Sequence, residues 1–372
     1  MLKVGITGQA GFVGTHLYNT IGLFPEEFTR IEFQKEYFDD NNKLNAFVAE
    51  CDAIIHLAAM NRHSDPQVIY DTNLGLVQKL VQSLKATNSK SHVLFSSSTQ
   101  EERDNLYGKS KKEGRELMID WSNNSEGQFT GMIIPNVFGP FGQPNYNSVV
   151  ATFCYKLSQN DKPVIDIDGD LKLIYVGELV NAIISEIRSK KGKAEILVQH
   201  TSECKVSQIL ALLEKYKSEY QDKGIIPSIE TLFELNLFNT FRCYMDIKNH
   251  FPVKFVEHTD PRGSFVEIIR LGVGGQVSFS TTVPGITRGN HYHTRKIERF
   301  AVIKGKALIQ LRRIGTDEVL DFYLDGNEPS YVDMPIWYTH NIKNIGEEVL
   351  YTNFWINEFY DPNDPDTYFE NV

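Results

Sequence analysis

Residues Thr7-Gly8-Gln9-Ala10-Gly11-Phe12-Val13-Gly14 decide the fold of the first half of the chain. They follow an apolar run at residues 3–7 that predicts a strand, and they open a pattern that predicts a helix. The glycines permit a tight turn, so that an anion can approach the free N–H groups at the helix N-terminus. The stretch therefore predicts a dinucleotide-binding turn in a parallel sheet. The alternative is a plain strand–turn–helix packing motif.

The rest of the first 250 residues continues this pattern. Short apolar runs alternate with helical periodicity, as in βαβ units. The predicted strands are residues 3–7, 31–33, 53–57, 93–96 and 131–134, and the predicted helices include residues 73–85, 210–220 and 232–238. We therefore expect an α/β doubly wound parallel sheet, a Rossmann fold, over residues 1–250.

The texture changes near residue 251. Short alternating strands separated by Gly- and Pro-bearing turns are predicted at residues 265–271, 276–283, 300–303, 307–313, 319–324 and 349–356. This is typical of an antiparallel barrel or jelly roll. We therefore place a second, all-β domain at residues 251–372.

Composition limits the class of protein. The chain has 372 residues, 41% hydrophobic and 23% charged, which is ordinary for a globular protein of two domains. A net charge of -10 argues against nucleic acid as the main partner. The four cysteines form no CxxC pair, and we see no signal peptide or membrane-spanning run. We therefore expect a cytoplasmic protein with reduced thiols and no membrane partner.

Tyr107 and Lys111 are candidate catalytic residues. They are spaced i and i+4 and so share one helix face. An ammonium beside a phenol lowers its pKa and prepares it to exchange a proton with a carbonyl oxygen. Ser98 or its neighbour Ser97, at the end of a predicted strand, can orient that oxygen. The alternative is a solvated helix face.

Together, these residues resemble the Ser–Tyr–Lys centre of the extended short-chain dehydrogenase/reductases that modify nucleotide sugars. Further matches are His56-Leu57-Ala58-Ala59, Asn73 and Pro135-Asn136-Val137-Phe138-Gly139-Pro140. The resemblance implies that Leu57, Ala58, Ala59, Asn73 and Pro135 join the glycine turn, Tyr107 and Lys111 in binding the dinucleotide. It also implies that Asn136 contacts the substrate.

The choice of cofactor depends on the end of the second strand. An acid there would hold the ribose 2′-OH of NADH. Gln34 occupies the expected position, and Lys35 can accept a 2′-phosphate. This favours NADPH, while Glu32 and Glu36 leave NADH open.

The second domain carries a cluster of candidate metal ligands. His291 and His293 at i and i+2 project from one face of a strand, and Glu298 and His340 can complete a site for a divalent ion. Zn²⁺ suits mixed nitrogen and oxygen ligands, and iron or manganese are alternatives. The other possibility is a metal-free domain in which the histidines are catalytic or packed.

With Gly285 and Gly305, these ligands match the first cupin motif, and Pro335, His340 and Asn344 match most of the second. Trp337 stands where that motif has Gly, so we expect the loop to bend differently. A second resemblance, to deoxysugar-nucleotide 3,5-epimerases, implies substrate contacts from Arg262, Phe265, Glu267, Arg288 and Tyr292. In those epimerases the histidine that follows the Arg-Gly pair is the base. The role of His291 therefore stays open between metal ligand and base.

The whole chain resembles the bifunctional reductase–epimerases of capsular polysaccharide precursor synthesis. The resemblance includes the tail at residues 361–369. It implies a homodimer and a UDP-linked 4-keto-6-deoxy amino sugar as substrate, epimerised at C3 by the cupin domain and then reduced at C4 with NADPH. The alternatives are a plain reductase with a non-catalytic cupin module, a binding scaffold without turnover, and a cupin dioxygenase.

Overall fold

The computed structural model describes residues 1–261 and 263–372. The chain divides into two compact units, Met1–Thr152 with Ile167–Val206, and Phe153–Asp166 with Ser207–Val372. This division differs from the boundary predicted after residue 250. Residues 207–250 pack on the β domain: the Tyr220 hydroxyl donates to Asp333 at 2.8 Å, and the Arg242 guanidinium donates to the Met334 carbonyl at 2.9 Å.

The first unit is built on a parallel sheet flanked by helices. Its strands are β1 (Leu2–Thr7), β2 (Phe28–Ile31), β3 (Ala53–His56), β4 (His92–Ser98), β5 (Gln128–Ile134), β6 (Asn136–Phe138), β7 (Asp170–Tyr175), β8 (Lys193–Leu197) and β9 (Ser202–Lys205). Its helices are α1 (Phe12–Ile21), α2 (Asn41–Glu50), α3 (Pro66–Ala86), α4 (Leu106–Asn123) and α6 (Val176–Ser189), while α5 (Val149–Ser158) runs into the second unit. Among the described residues the main sheet has the order β2-β1-β3-β4-β5-β8, with every pairing parallel, and β6, β7 and β9 form a smaller sheet.

Both faces of the main sheet are buried, as a parallel sheet requires. One apolar cluster includes Val4, Ile6 and Leu17, and the other includes Phe47, Ile54 and Trp121. The strand order reverses between β1 and β3, so a crevice for a ligand lies at the carboxyl ends of these strands. The predicted α/β doubly wound fold is confirmed.

The second unit begins with helices and continues as antiparallel strands. Its helices are α7 (Val206–Tyr216), α8 (Leu232–Arg242) and α9 (Ile247–His250). Its strands are β10 (Val253–Lys254), β11 (Glu257–Asp260), β12 (Gly263–Val266), β13 (Gln276–Thr282), β14 (Thr287–Tyr292), β15 (Glu298–Lys304), β16 (Lys306–Arg313), β17 (Val319–Asp325), β18 (Ser330–Met334), β19 (Tyr338–Asn344), β20 (Leu350–Ile356) and β21 (Tyr368–Phe369).

Two antiparallel sheets form this β domain. Within the part of the chain described, their orders are β10-β18-β15-β20-β13 and β17-β16-β19-β14-β21, and β11 pairs with β12 in a separate hairpin. Alternating residues of β15 and β16, such as Val302 and Ile309, fill a core shared by both sheets. The predicted antiparallel β domain is confirmed.

The second strand begins and ends earlier in the sequence than predicted. It was expected at residues 31–33, but β2 ends at Ile31. Phe33 is buried for another reason: beyond the strand its ring packs against Phe38 and Phe47, with centroids 5.2 and 4.8 Å away.

In residues 1–261 and 263–372, no helix combines the length and apolar character needed to cross a bilayer.

Candidate functional site

The glycine turn lies between β1 and α1, at the carboxyl edge of the sheet. Gly8 has φ of 77°, and a Cβ on Gly14 would lie 2.2 Å from the Gly8 carbonyl oxygen. Gly11 is the N-cap of α1 and has no side chain to cap it. The first N–H groups of α1, from Phe12 and Val13, thus begin a helix terminus suited to a pyrophosphate.

Thr7 supports the turn from inside the protein. Its side chain is fully buried and lies 2.7 Å from His56 Nδ1, and its carbonyl accepts from the Leu57 amide at 3.1 Å. The Thr7 side chain thus shapes the strand end, and its predicted cofactor contact stays a prediction. Leu57, Ala58 and Ala59 follow β3 and remain partly exposed beside the turn, with the Ala58 backbone touching Gly8.

Asn73 holds the loop after β3. Its Oδ1 accepts from the Met60 amide at 2.7 Å, and its Nδ2 donates to the Met60 carbonyl at 3.0 Å and to Ser110 Oγ at 3.2 Å. Both ends of the amide are thus used within the protein. Asn73 therefore orders the loop after β3, and its predicted contact with the cofactor stays a prediction.

Ser98, Tyr107 and Lys111 converge at the end of β4 and the start of α4. A hydrogen bond links Tyr107 to Ser98, and Lys111 Nζ lies 5.9 Å from the centre of the Tyr107 ring. Lys111 is buried and donates to the Ser96 carbonyl at 2.9 Å. The structure therefore brings together a phenol, an ammonium and a hydroxyl, as the sequence predicted.

Burial controls the charges in this group. It raises the pKa of Tyr107 to about 12, with a further rise from Tyr146 and an opposing effect from the Ser98 hydrogen bond. Burial also lowers the pKa of Lys111 to about 8, which nearby Glu101 partly offsets. Tyr107 is consequently a protonated donor at neutral pH, the state needed to protonate a ketone oxygen.

The structure distinguishes the two serines. Ser97 is buried and its hydroxyl donates to Glu101, whose carboxylate also binds Arg115 at 2.7 Å. Ser98 faces Tyr107 and also accepts from the Gln100 amide at 3.2 Å. Of the two, Ser98 is the one placed to meet a carbonyl beside Tyr107.

Two residues near this group, Tyr146 and His56, were not assigned a site role from the sequence, although His56 belongs to a stretch that matches the family. Tyr146 acts electrostatically on Tyr107, and its hydroxyl accepts from the Asn61 amide at 3.2 Å. His56 is buried, and burial followed by the charge of Lys111 lowers its pKa to about 3, so it is neutral. Tyr146 lies in a polar loop and His56 at a strand end, so no periodic pattern marked either as part of the site.

The segment after β2 bears on the cofactor. Because β2 ends at Ile31, Glu32 rather than Gln34 directly follows the strand, and the Gln34 amide donates to Glu32 at 2.9 Å. Lys35 is exposed at the start of a 3₁₀ turn. Both an acid and a cation are thus present where the ribose of a dinucleotide would lie.

The segment after β5 contains the last predicted residues of this site. Pro135 is buried between β5 and β6, while Asn136 is exposed at the start of β6.

The second unit gathers His291, His293, Glu298 and His340. One ligand atom from each lies within 4.8 Å of the others, a span comparable to two metal–ligand bonds of about 2.1 Å. The strands β14 and β19 carry His291 and His340, His293 follows β14, and Glu298 begins β15 in the facing sheet. The structure therefore brings together all four predicted ligands.

A bulge in β14 aims His291 into this cluster. Gly289 pairs with Asn341, but the next pair is His291 with His340, so Asn290 is an extra residue. It has φ of 62°. In a regular ladder residue 290 would face His340, whereas the bulge brings His291 to that position, with ring centroids 4.6 Å apart.

Buried atoms of the cluster lack partners. His293 Nε2 and His340 Nε2 lie 3.1 and 3.2 Å from Glu298 Oε2. None of these three atoms has a partner with hydrogen-bond geometry among the residues that the structure describes. Buried polar atoms left this way are costly unless another group binds them. These residues therefore fit a divalent metal ion.

The opposite ring nitrogens fix the orientation of the two imidazoles. His293 Nδ1 donates to the Asp366 carbonyl, and His340 Nδ1 lies 3.2 Å from the Tyr338 carbonyl. With Nδ1 turned to these carbonyls, both rings direct Nε2 at the cluster. Burial, with the neighbouring His340 and His293, lowers the pKa of His291 to about 4, so the His291 ring is neutral.

Trp337 adopts a left-handed backbone conformation. Its φ is 62°, the region that Gly adopts easily, and its N–H donates to the His293 carbonyl at 2.8 Å. The indole stacks on Tyr292 with centroids 5.8 Å apart. A bend of the loop before His340 that differs from that of a loop with Gly at this position stays a prediction.

The predicted substrate residues of this unit have different surroundings. Tyr292 is buried and its ring lies against Trp337 and Tyr368, and its predicted substrate contact stays a prediction. Arg288 donates to Thr282 Oγ1 and to the Thr281 carbonyl, each at 3.1 Å.

Two further predicted substrate residues, Phe265 and Glu267, lie on or near the β11–β12 hairpin. Phe265 is 68% exposed in this hairpin. Glu267 is exposed and paired with Arg270, whose hydrogen bond lowers the pKa of Glu267. Arg262 lies outside the described residues.

Comparison with known families decides the assignment. A family described as "NAD dependent epimerase/dehydratase family" matches residues 4–198, which contain the glycine turn and the Ser98–Tyr107–Lys111 group. The chain belongs to the NAD-dependent epimerase/dehydratase family. A second family, "Polysaccharide biosynthesis C-terminal domain", matches residues 258–368, which contain the histidine cluster.

Two relatives of this member of the epimerase/dehydratase family align with essentially its whole length. It is 30% identical over 374 residues to the UDP-2-acetamido-2,6-beta-L-arabino-hexul-4-ose reductase of Pseudomonas aeruginosa, covering 99% of this chain and 98% of the relative. The crystal structure of the capsular polysaccharide assembling protein CapF from Staphylococcus aureus is 33% identical, with 100% of both chains covered and a TM-score of 0.63. The predicted resemblance is confirmed.

A structure of RMD from Pseudomonas aeruginosa complexed with NADPH is 22% identical. It covers 59% of this chain and 83% of RMD, with a TM-score of 0.53, and so shares the fold.

Proposed function

We propose that the chain is a bifunctional nucleotide-sugar enzyme of capsular polysaccharide precursor synthesis. Its β domain, a cupin, epimerises C3 of a UDP-2-acetamido-2,6-dideoxy-hexos-4-ulose. Its first domain then reduces the C4 ketone with NADPH, which gives UDP-N-acetyl-6-deoxy-L-talosamine. The observation that carries this proposal is the pairing of a Ser98–Tyr107–Lys111 group with a four-ligand cluster in one chain that aligns end to end with a keto-sugar reductase.

In the reduction, NADPH supplies hydride to C4. The Tyr107 phenol donates a proton to the C4 oxygen, and its raised pKa keeps that proton available. Ser98 orients the same oxygen by a hydrogen bond. Lys111, held by the Ser96 carbonyl, stabilises the phenolate that Tyr107 becomes.

In the epimerisation, a proton leaves C3 and returns on the other face. The C3 proton is acidic only while C4 is a ketone, because the carbanion delocalises as an enolate. His291, His293, Glu298 and His340 would hold the metal, which when bound stabilises the developing oxyanion. Reduction at C4 removes this acidity, so epimerisation precedes reduction.

A reductase with a non-catalytic β domain is the second candidate. It is favoured by the name of the full-length relative, which describes a reductase only. Phe265 and Glu267, two predicted substrate contacts of the β domain, are also exposed.

An NMR time course of the UDP-4-keto sugar in D₂O separates these candidates. The full-length protein without NADPH should incorporate deuterium at C3, and NADPH should then trap the reduced product. Tyr107→Phe should abolish NADPH oxidation and leave exchange intact, whereas Tyr323→Phe, at a phenol 65% exposed on β17, should retain both activities. Reduction of the ketone without deuterium exchange at C3 would contradict the epimerase role and support the second candidate, a reductase with a non-catalytic β domain. Reduction rates measured in parallel with NADPH and with NADH test the choice of cofactor. The homodimer remains a prediction, and light scattering tests it.

A further inference from the structure

We propose that Asp366, in the C-terminal tail, is a positioning residue for the metal centre. It fixes the loop that joins two of the four ligands and sets the orientation of His293. This inference rests on the proposed metal-binding role of the cluster and extends it to a segment that none of the ligands belongs to.

The Asp366 carboxylate accepts four hydrogen bonds from one short loop. Oδ1 accepts from the Thr294 amide at 3.1 Å and from the Thr294 hydroxyl at 2.6 Å. Oδ2 accepts from the amides of Arg295 at 3.0 Å and Lys296 at 3.1 Å. Asp366 is only 2% exposed. A buried carboxylate saturated by amides in this way acts as a rigid cap.

The capped loop, residues 294–296, lies between the ligands His293 and Glu298. Its conformation therefore determines how far apart these two ligands stand. Because the loop is short and its amides are directed at one carboxylate, a change at Asp366 is transmitted to both ligands.

The backbone of Asp366 acts on His293 directly. Its carbonyl accepts from His293 Nδ1, which leaves Nε2 facing the cluster. Asp366 has φ of 42°, a left-handed conformation that Asp tolerates better than most residues. The same residue thus orients the imidazole through its carbonyl and the loop through its side chain.

The rest of the tail is anchored around the same site. The Lys296 ammonium donates to the Pro365 carbonyl at 2.6 Å, and Thr339, next to His340, donates to the Glu370 carbonyl. Strand β21 pairs Phe369 with His291. Segments carrying all three histidines are therefore tied to the tail, and the Asp366 carboxylate accepts from the backbone amides of the loop.

Groups that orient metal ligands typically change metal affinity about 10- to 100-fold when removed. The test uses full-length metal-free protein titrated with Zn²⁺ or Co²⁺. The variants are Asp366→Ala, the nearly isosteric Asp366→Asn in case the first fails to fold, and Asp364→Ala as a matched control. Asp364 lies in the same tail, but its side chain is mostly exposed and pairs with Arg295.

Both Asp366 variants should weaken metal binding by about 10- to 100-fold, the Asn variant less, and shift the visible bands of bound Co²⁺. The metal affinity of Asp364→Ala should stay within about threefold of the affinity of the parent protein. Parent-like affinity and Co²⁺ spectrum in Asp366→Asn would overturn the inference alone. Parent protein that binds neither metal would instead overturn the metal centre, and the inference with it.

Discussion

Arg299 holds Asp333 with two hydrogen bonds, of 2.8 and 2.9 Å, at a position where both side chains are almost fully buried. Tyr220 also donates to Asp333, and Arg299 donates to the Gly224 carbonyl at 3.0 Å. The ion pair therefore joins the β domain to residues that precede it. Asp333→Asn should destabilise the protein by about 3–5 kcal/mol, because it leaves a buried guanidinium without its counter-charge.

Urea unfolding monitored by circular dichroism measures this cost. The matched control is Glu328→Gln, which removes the carboxylate of the exposed pair with Lys254. It should change the unfolding free energy by less than about 1 kcal/mol. Equal effects of the two substitutions would contradict the assignment of the buried pair as the stronger contribution.

Trp337→Gly separates backbone strain from packing. Gly would relieve about 1–2 kcal/mol of left-handed strain, but removing a large buried aromatic side chain costs about 3–5 kcal/mol. The protein should therefore lose about 2 kcal/mol of stability while its metal affinity stays the same. Asn88→Gly, at an exposed position with φ of 48°, is the control and should be neutral or slightly stabilising. A more stable Trp337→Gly would mean that strain dominates.

Gly14→Ala tests the close packing of the first turn. The new Cβ would lie 2.2 Å from the Gly8 carbonyl oxygen, so the turn must move. We expect a loss of about 1–3 kcal/mol and weaker dinucleotide binding, measured by thermal unfolding and by fluorescence titration with NADPH. Gly75→Ala in α3, where a Cβ meets nothing within 4 Å, should instead stabilise by up to about 1 kcal/mol. Dinucleotide affinity unchanged in Gly14→Ala would contradict the assignment.

Ser98→Ala and Ser97→Ala should have opposite signatures. Loss of the Ser98 hydrogen bond to the reacting oxygen should lower kcat for reduction by about 10- to 100-fold with little effect on stability. Ser97 bonds to Glu101, so its removal should cost about 1 kcal/mol of stability and leave kcat nearly unchanged. Single-turnover NADPH oxidation and thermal unfolding measure the two effects. A larger kcat loss in Ser97→Ala would reverse the assignment.

The reduction should lose activity at alkaline pH. Lys111 must be charged to stabilise the phenolate of Tyr107, and burial lowers its pKa to about 8. Lys111 is protonated below that value, so kcat/KM should be constant from pH 6 to about pH 7.5 and fall as pH rises through about 8. Tyr107, with a pKa raised to about 12, stays protonated over this range and adds no second step. A flat profile up to pH 10 would contradict the role of Lys111.

Periodicity and turn chemistry in the sequence predicted most of the first unit. The glycine spacing predicted the β1–α1 turn, and the i, i+4 spacing placed Tyr107 and Lys111 on one face. The end of β2 was missed because Phe33 is apolar and buried for reasons of aromatic packing, which a strand pattern cannot distinguish. The hydroxyl pairings that separate Ser97 from Ser98 are with nearby residues, Glu101 and Tyr107, and they depend on the path of the chain after β4, which the residue types alone do not encode.

In the second unit, the four residues of the His/Glu cluster could be predicted from the sequence, but the strand that carries His340 could not. Strand β19 has polar residues at buried positions such as Asn341 and Asn344, so it lacks alternation of apolar residues. The packing of residues 207–250 on the β domain depends on Arg299 and Asp333, two charges that sequence rules assign to the surface. Tyr292 was placed near the substrate by resemblance alone, and Trp337 covers it.

The extra residue at Asn290 has an evolutionary consequence. The site is specified by strand register as well as by residue identity. A relative that kept the residue at position 290 but paired it with the counterpart of His340, in a ladder without the bulge, would still contain all four donor side chains in its sequence, yet one imidazole would face outward. A comparison of residue identities alone would classify such a protein as metal-binding, although only three of the four donor side chains could reach a common ion.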